Sequence, residues 1–467
     1  MGVKVEKISG KKRIFMMSVL LFGAFTALLA ETFLNNALPT IMTAFEVNQS
    51  TAQWLTTSYL LVVGLMIPMS AWIFDSFNLK QNFLMMISVF FVGSMICVLA
   101  PNFTVLLSGR IIQAIAAGGL MPFIQNVILM MFPPEKRGMA MGITGLVIGF
   151  GPAVGPTVSG LLLKYSGWQM LFVILSAVSA IVGILAIFTV KNITVPKQST
   201  TDIISFLESI FGFGLILYAL SEVGNTGKVT LTLAVLFVLG VGIMYLFCKR
   251  QLKMTDPLLD LRVFKNLKFD LCTILSMISN IAMVGIELVL PLYLQTTRGE
   301  TALTSGLIMM PGAFIMIICN PISGILYDKM GIKKLSLFGF GMLVVGTLPM
   351  LLFNTQTGLI TICVCYALRM VGISFTMMTT FTAGINLIDP QLTAHANAAS
   401  STVRQIGGSF GTAAAMLVVA LASTVNTSSK GVALEMGFHW SFILMLLFAV
   451  IGFGSSFFLP TSQEENK

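Results

Sequence analysis

The sequence predicts an all-α polytopic membrane protein with fourteen transmembrane helices, and three observations predict it. Only 10% of its 467 residues are charged and 56% are hydrophobic, with mean hydropathy +0.93, whereas a soluble domain carries about 25% charged residues. Apolar runs of the length that crosses a bilayer as a helix, roughly 20 residues, recur along the whole chain. Positive charge gathers in alternate connections, as the positive-inside rule requires. A β-barrel is excluded, because its strands alternate apolar and polar residues with period two.

The apolar runs place helices at 14–38, 54–74, 82–100, 104–132, 138–163, 168–190, 203–221, 229–248, 270–295, 303–326, 335–353, 357–388, 399–424 and 438–460. The first follows Lys11, Lys12 and Arg13 like a signal peptide, but runs on through Leu28 and Leu29 with no small-residue cleavage site, so it reads as a retained span. Trp54, Trp168 and Trp440 fall at span ends, where indole rings anchor at the interface. The longest polar connection, KRQLKMTDPLLDLRVFKNLKF (249–269), holds six Lys or Arg.

With the N-terminus in the cytoplasm, that side receives this loop, Lys80, Lys136, Arg137, Lys191, Lys329, Lys333 and Lys334. The other side receives only Lys164, Lys228, Arg298 and Lys430, so both termini are expected inside and the helix count even. Twelve helices would also satisfy this if 203–248 were read differently. The net charge of +9 is thus explained by topology, and nucleic acid is not an expected partner. The six cysteines lie in or beside apolar runs and read as small buried hydrophobes rather than disulfides or metal ligands.

Five charges remain inside spans: Glu31, Glu287, Arg110, Arg369 and Arg404. A charge at bilayer depth costs at least ~2.5–3.5 kcal/mol, so each either faces a functional interior or is a structural pair. Their spacing repeats. Glu31, Asp75 and Arg110 are separated by 44 and 35 residues, and Glu287, Asp328 and Arg369 by 41 and 41. The offsets between the sets are 256, 253 and 259, which implies two homologous six-helix halves. The expected division is a first bundle over 1–200, two inserted helices over 201–250, a cytoplasmic basic loop over 251–269 and a second bundle over 270–467. Parallel repeats place the substrate path at their interface near the bilayer midplane.

Two further stretches carry chemistry. SGILYDKMGIKK (323–334) and AWIFDSFNLK (71–80) occupy equivalent connections, each an acid at a helix end followed by a basic turn. Such a turn makes a compact charge network able to latch one conformation, or is simply a solvated turn. GFGPAVGPTVSG (149–160) sets Gly151, Gly155 and Ser159 four apart, with Pro152 and Pro156 beside them and Gly160 closing the stretch. The bare edge lets another helix approach closely, and each proline removes an amide donor and permits a kink. A kinked helix packed against the other half is the expectation, with a static packed pair as the alternative.

These residues resemble the 14-span drug:proton antiporters of the major facilitator superfamily (the EmrB/QacA type) over nearly the whole chain. ETFLNNALPTI (31–41), with Asn35, is similar to that family's first-helix motif, which opens with Asp where this chain has Glu31. LLSGRIIQAIAAGG (106–119) resembles the fourth-helix motif, whose arginine matches Arg110 and is implied in proton coupling. GFGPAVGPTVSG resembles the fifth-helix antiporter motif. DPLLDLRVFKNLKF (256–269) and VRQIGGSFGTA (403–413) resemble signatures before the ninth helix and in the thirteenth, and WLTTSYLLVVGLMIPMSAWI (54–73) points to the lincomycin-resistance-like branch. The family pattern has Arg and Gly at Ser76 and Asn78, so the latch rests more on Asp328, Lys329, Gly331 and Lys333 than on Asp75.

The resemblance implies the major facilitator fold and, at a bacterial cytoplasmic membrane, exchange of inward protons for outward amphipathic cationic or zwitterionic drugs. Glu31 and Glu287 are the expected carriers of protons or substrate charge, with Arg110, Asn35 and Arg369 around them. GNTGKV (224–229) lacks phosphate-loop spacing, so the energy source is expected to be the proton gradient, with no cofactor and no enzymatic activity. The expected unit is a monomer in the bilayer. A lipid flippase on the same scaffold and a non-transporting sensor are the alternatives. His395 reads as a helix-start residue.

Orientation is checked by cysteine labelling. Cysteines at Lys253 and Lys333 should label only from the cytoplasm and one at Lys228 only from outside; labelling of Lys228 and Lys253 positions from one side contradicts fourteen spans.

Overall fold

The computed structural model describes residues 10–193, 202–425 and 430–460. The side chains of Asn35, Pro152 and Pro156, three of the expected site residues, lie outside the described residues. Fourteen long helices follow one another: α1 (Gly10–Phe45), α2 (Gln49–Ser76), α3 (Leu79–Val98), α4 (Phe103–Met131), α5 (Arg137–Ser166), α6 (Gln169–Thr189), α7 (Ile203–Thr226), α8 (Leu231–Lys253), α9 (Leu267–Leu292), α10 (Ala302–Met330), α11 (Ile332–Thr347), α12 (Leu359–Asn386), α13 (Thr393–Val425) and α14 (Lys430–Ser456). Among the described residues thirteen are long and apolar enough to cross a membrane, and α5 is a further helix of 30 residues.

Several helices outrun their apolar stretches. α2 starts at Gln49 because the Asn48 side chain accepts the Thr51 N–H at 2.8 Å. α13 starts at Thr393 rather than 399, and α8 continues to Lys253, so the expected basic loop shrinks to the residues between Lys253 and Leu267. Hydropathy marks where lipid begins, whereas a helix continues until its orphan backbone groups find a cap or water. Trp168 differs from expectation. It is buried between Phe45, at 5.4 Å, and Phe172, at 6.1 Å, instead of anchoring at the lipid surface.

Packing repeats along the chain. α1 packs on α5 and α6, α2 on α4, and α3 on α4 and α6. The same pairs recur eight helices later: α9 on α13 and α14, α10 on α12, and α11 on α12 and α14. The two sets meet through a matched pair of seams, α5 on α10 and α13 on α2. α7 and α8 pack on each other, and α7 alone of the two lies along both α2 and α13. Arg250 clamps this hairpin, donating from Nε at 2.6 Å and Nη2 at 3.0 Å to Asp202. That bond and one from Ser205 pull the Asp202 carboxyl down to about 2.

α5 changes partner along its length. A Cβ on Gly142 would stand 2.6 Å from the Asn320 carbonyl, one on Gly145 3.0 Å from Met378, and one on Gly149 3.1 Å from Met316. With Gly138 these residues form a bare face that admits α10 and α12 of the second set. Beyond Gly149, GFGPAVGPTVSG does not make that contact. A Cβ on Gly151 would meet Leu28 of α1 at 3.1 Å, and one on Gly155 would overlap the Thr32 side chain, also of α1. Two residues separate Gly149 from Gly151, which turns about 200° around a helix of 3.6 residues per turn, so the second edge faces the opposite way. Gly160 lies on the exposed side. The expected approach to the other half is therefore corrected: the Gly151 and Gly155 edge binds α5 to its own set, and the glycines from 138 to 149 bind it across.

Gly155→Leu should overpack the α1 contact, which typically costs ~1–3 kcal/mol, giving folded protein in the membrane with poor transport. Adding Thr32→Ala should restore part of that activity. Unimpaired transport by Gly155→Leu, or no relief from Thr32→Ala, would contradict the α1 contact.

Candidate functional site

A cavity of about 480 Å³ lies between the two sets. Its walls come mainly from α1, α2, α4, α7, α9 and α13. Glu31 on α1 and Glu287 on α9 both line it, as the repeat in the sequence requires of residues at matched places in the first helix of each set. The two carboxyl groups are within range of an electrostatic interaction, and so are Glu31 and Arg110, although no ion pair joins them. The rest of the wall is largely apolar, with Leu60, Met121, Ile148, Met283 and Leu288 among its residues. Such a surface suits an apolar body bearing one or two charges.

Arg110 stands behind Glu31, fully buried. Its Nη1 donates to the Ala30 carbonyl at 3.1 Å and to Gln113 Oε1 at 3.0 Å, and its Nε reaches the Leu55 carbonyl at 3.4 Å. The guanidinium carbon lies 4.0 Å from the centre of the Tyr59 ring, whose hydroxyl donates to the Ala27 carbonyl at 3.0 Å. One cation therefore ties α4 to the backbones of α1 and α2, one residue from Glu31. Gly109 allows this, since a Cβ there would stand 2.6 Å from Cys97 Sγ of α3. Arg369 does the equivalent in the second set, donating to Thr347 Oγ1 of α11 and, at 2.9 Å, to the Ala282 carbonyl of α9. Its contact falls five residues before Glu287, more than a helical turn away, and Arg369 does not line the cavity. The structure brings Glu31, Glu287 and Arg110 together and leaves Arg369 as a tie between helices.

The expected latch residues also meet partners, but not those expected. Asp328, at the end of α10, accepts the N–H groups of Gly138 and Met139 at 2.8 Å each. It thus caps the start of α5 in the other set, where orphan donors and the positive end of the helix dipole favour a carboxylate. Beside it, Arg137 Nη1 donates to Asn386 Oδ1 at 2.8 Å, and Asn386 Nδ2 donates to the Tyr327 hydroxyl at 3.1 Å. Asp75, at the end of α2, lies 3.6 Å from Nε2 of His395 in the first turn of α13. His395 Nδ1 in turn accepts the Asp260 N–H at 3.1 Å. Each set thus sends an acid to the start of a helix in the other. Lys329 and Lys333 make no ion pair among the described residues, which corrects the expected charge network: fixed backbone donors outcompete long solvated side chains. Gly331, at φ +75, ends α10 with its N–H on the Tyr327 carbonyl at 3.0 Å.

Comparison with known proteins agrees with this geometry. Residues 20–412 match the family described as Major Facilitator Superfamily. The chain belongs to the major facilitator superfamily. It is a multi-pass membrane transporter of the major facilitator fold, not an enzyme. An uncharacterised MFS-type transporter, YcnB of Bacillus subtilis, is 40% identical over 97% of this chain and 96% of its own length. The lincomycin resistance protein LmrB of Listeria monocytogenes is 35% identical over 95% and 96% respectively. Among solved structures, that of the human organic anion transporter MFSD10 covers 94% of this chain and 99% of its own with TM-score 0.63; at 12% identity the likeness is one of fold.

The transporter's cavity also contains residues that the sequence reading did not assign to a site. Arg404 and Gln405 of α13, Asn280 of α9 and Gln125 of α4 line it. The three amides share one sequence signal, a polar side chain inside an apolar run, as in FIQNVIL and MISNIAM. Ser221 and Asn225 of α7 line it as well. No sequence signal revealed that an inserted helix would reach the centre.

Asp328→Asn removes the charge facing the α5 dipole but keeps an acceptor; a charge-assisted bond is worth roughly 1.5–3 kcal/mol and the dipole term up to ~2. We expect about tenfold more labelling of a cysteine at Met316, which is buried on the α5–α10 seam, from the Asp328 end, in the variant than in the parent. Unchanged labelling contradicts a latch.

Proposed function

We propose that this transporter exports amphipathic cationic or zwitterionic drugs across a bacterial cytoplasmic membrane in exchange for protons. The observation that carries the reading is that Glu31 and Glu287, from matched helices of the two sets, line one largely apolar cavity between them. A proton and a bound cation each neutralise a carboxylate that a low-dielectric wall penalises, so the two compete for the same group. Competition of this kind couples opposite flows. Arg110, tied to α1 one residue from Glu31, would feel which ligand is present and pass the difference to α2 and α4.

Alternating access then needs two six-helix halves that rock about the cavity, with α7 and α8 as an insert between them. The matched packing of α1–α6 and α9–α14 supports that division. Lys80, Arg137, Lys253 and Lys329 cluster toward the Asp75 and Asp328 end, which supports placing that end, and both termini, in the cytoplasm. Capped there by Asp328, the bundle is in a state closed to the cytoplasm. The proton gradient supplies the energy, and one chain holds a whole cavity, so a monomer suffices. The lincomycin-resistance name of a relative matched nearly end to end supports the drug class.

Reconstitution in liposomes tests this. Glu31→Gln and Glu287→Gln keep shape but cannot cycle a proton, and we expect Glu31→Gln to abolish flux driven by a pH gradient. Binding of cationic substrates should weaken more than that of neutral ones, since a charge pair at effective dielectric 20 is worth ~4 kcal/mol at 4 Å. Normal pH-driven flux in both variants and in the double variant sinks the proposal, as does movement of fluorescent lipid in place of soluble drug.

A further inference from the structure

Three arginines lie within spans, Arg110 and Arg369 fully buried and Arg404 half-buried, and their surroundings are not alike. Arg110 and Arg369 each bond a helix carbonyl and a glutamine or threonine, with one nitrogen of each left without an acceptor among the described residues, and neither lines the cavity. Arg404 lines the cavity. Its one recorded side-chain hydrogen bond runs from Nη2 to Ser401 Oγ, on its own helix, at 3.4 Å. Nη1 is buried with no acceptor, and the guanidinium carbon lies 5.1 Å from the Phe381 ring. Among the described residues no carboxylate pairs with it, although two acids line the same cavity. A half-buried guanidinium with one long hydrogen bond and no counterion is unfavourable by itself, and it offers the fork that a carboxylate fits in bidentate fashion.

The surroundings hold Arg404 in place without neutralising it. Asn280 of α9 donates from Nδ2 to the Arg404 carbonyl at 2.9 Å. Gly408 leaves room for that amide, since a Cβ there would stand 2.7 Å from Asn280 Nδ2. Towards the Asp75 end, Asn397 Nδ2 donates to Asn126 Oδ1 at 2.6 Å and to the Pro122 carbonyl at 2.7 Å, fixing α13 on α4. On that stretch of α4, Gln125 lines the cavity, is 1% exposed, and has neither its Nε2 nor its Oε1 hydrogen-bonded. A buried amide with both ends unpaired is costly and calls for a partner. The floor of the cavity between α4 and α13 therefore holds unmet donors from two helices and no acid.

We infer that Arg404 and Gln125 form an anion subsite, and that the preferred substrate is an amphiphile carrying a carboxylate or similarly compact anionic group as well as its cationic centre. This rests on the drug-transport reading and narrows it: Glu31 and Glu287 take the cationic end, Arg404 and Gln125 the acidic end, and the apolar walls the body between. The zwitterion brings no net charge into the cavity, so both buried signs are matched at once. A cation alone leaves Arg404 as unsatisfied as before.

The test uses two fluorescent probes that differ only in that group. Rhodamine B carries a free carboxylate beside its delocalised cation, and its ethyl ester masks the acid. Purified full-length protein should bind the free acid about tenfold tighter than the ester, the usual scale for one charge-assisted contact. Arg404→Gln should erase that preference while changing ester binding less than about twofold, and Arg404→Lys, which keeps charge without the fork, should fall between. If Arg404→Gln does not fold, Gln125→Leu decides, with the same selective loss for the acid expected in smaller degree. Equal binding of acid and ester by the parent, failure to bind the acid, or equal losses for both probes overturns the subsite. The underlying reading is separately scored: pH-driven flux of the ester with no preference for the acid refutes the subsite alone, whereas absence of pH-driven flux of either dye refutes drug–proton exchange.

Discussion

A charge at the centre of a bilayer has no water to solvate it, so protein must do so, and the transporter's interior is organised around that requirement. Arg110 and Arg369 meet most of it with carbonyl and hydroxyl oxygens of neighbouring helices, which makes each a rivet through three helices. Glu31 and Glu287 meet it differently. They face a cavity, where a proton or a ligand can supply what the walls do not. The contrast between charges satisfied by structure and charges left to a ligand separates scaffold from site.

The two seams between the helix sets have the same logic at lower cost. Each joins an acid that ends one helix to the start of another, and the α5–α10 seam runs alongside glycines that let backbones approach. Contacts of that kind are short, polar and few, so they can be exchanged for water when the sets separate. The glycines of α5 divide the work: one face, over 138–149, admits the other set, and the opposite face, at 151 and 155, fixes α5 to α1. A helix packed on its own set along one face and on the other set along the opposite face links the two.

Much of this could be read from the chain because membrane folding leaves strong marks. Apolar length gave all fourteen helices, and the near-constant offset of three charges gave the repeat and placed two glutamates together. What was not legible depended on rotation about helix axes and on tertiary partners. The GFGPAVGPTVSG edge was assigned to the wrong neighbour because a two-residue step reverses its facing. The latch was read as acid with lysines, since backbone donors at a distant helix start leave no trace in the sequence near Asp328. Arg404 was visible as an intramembrane charge, but only the structure shows that it lines the cavity while Arg369 does not.

Competition between proton and cation for one carboxylate is most directly measured without transport. Purified protein in weak buffer with a pH indicator would be titrated with tetraphenylphosphonium, a cation that cannot itself exchange protons. Linkage requires protons to leave as the cation binds if both use the same groups. Release of about one proton per cation bound, at a pH where the glutamates are partly protonated, and its loss in Glu31→Gln are the expected result. Saturable binding of the cation with no proton released anywhere between about pH 5 and pH 9 would contradict the shared site.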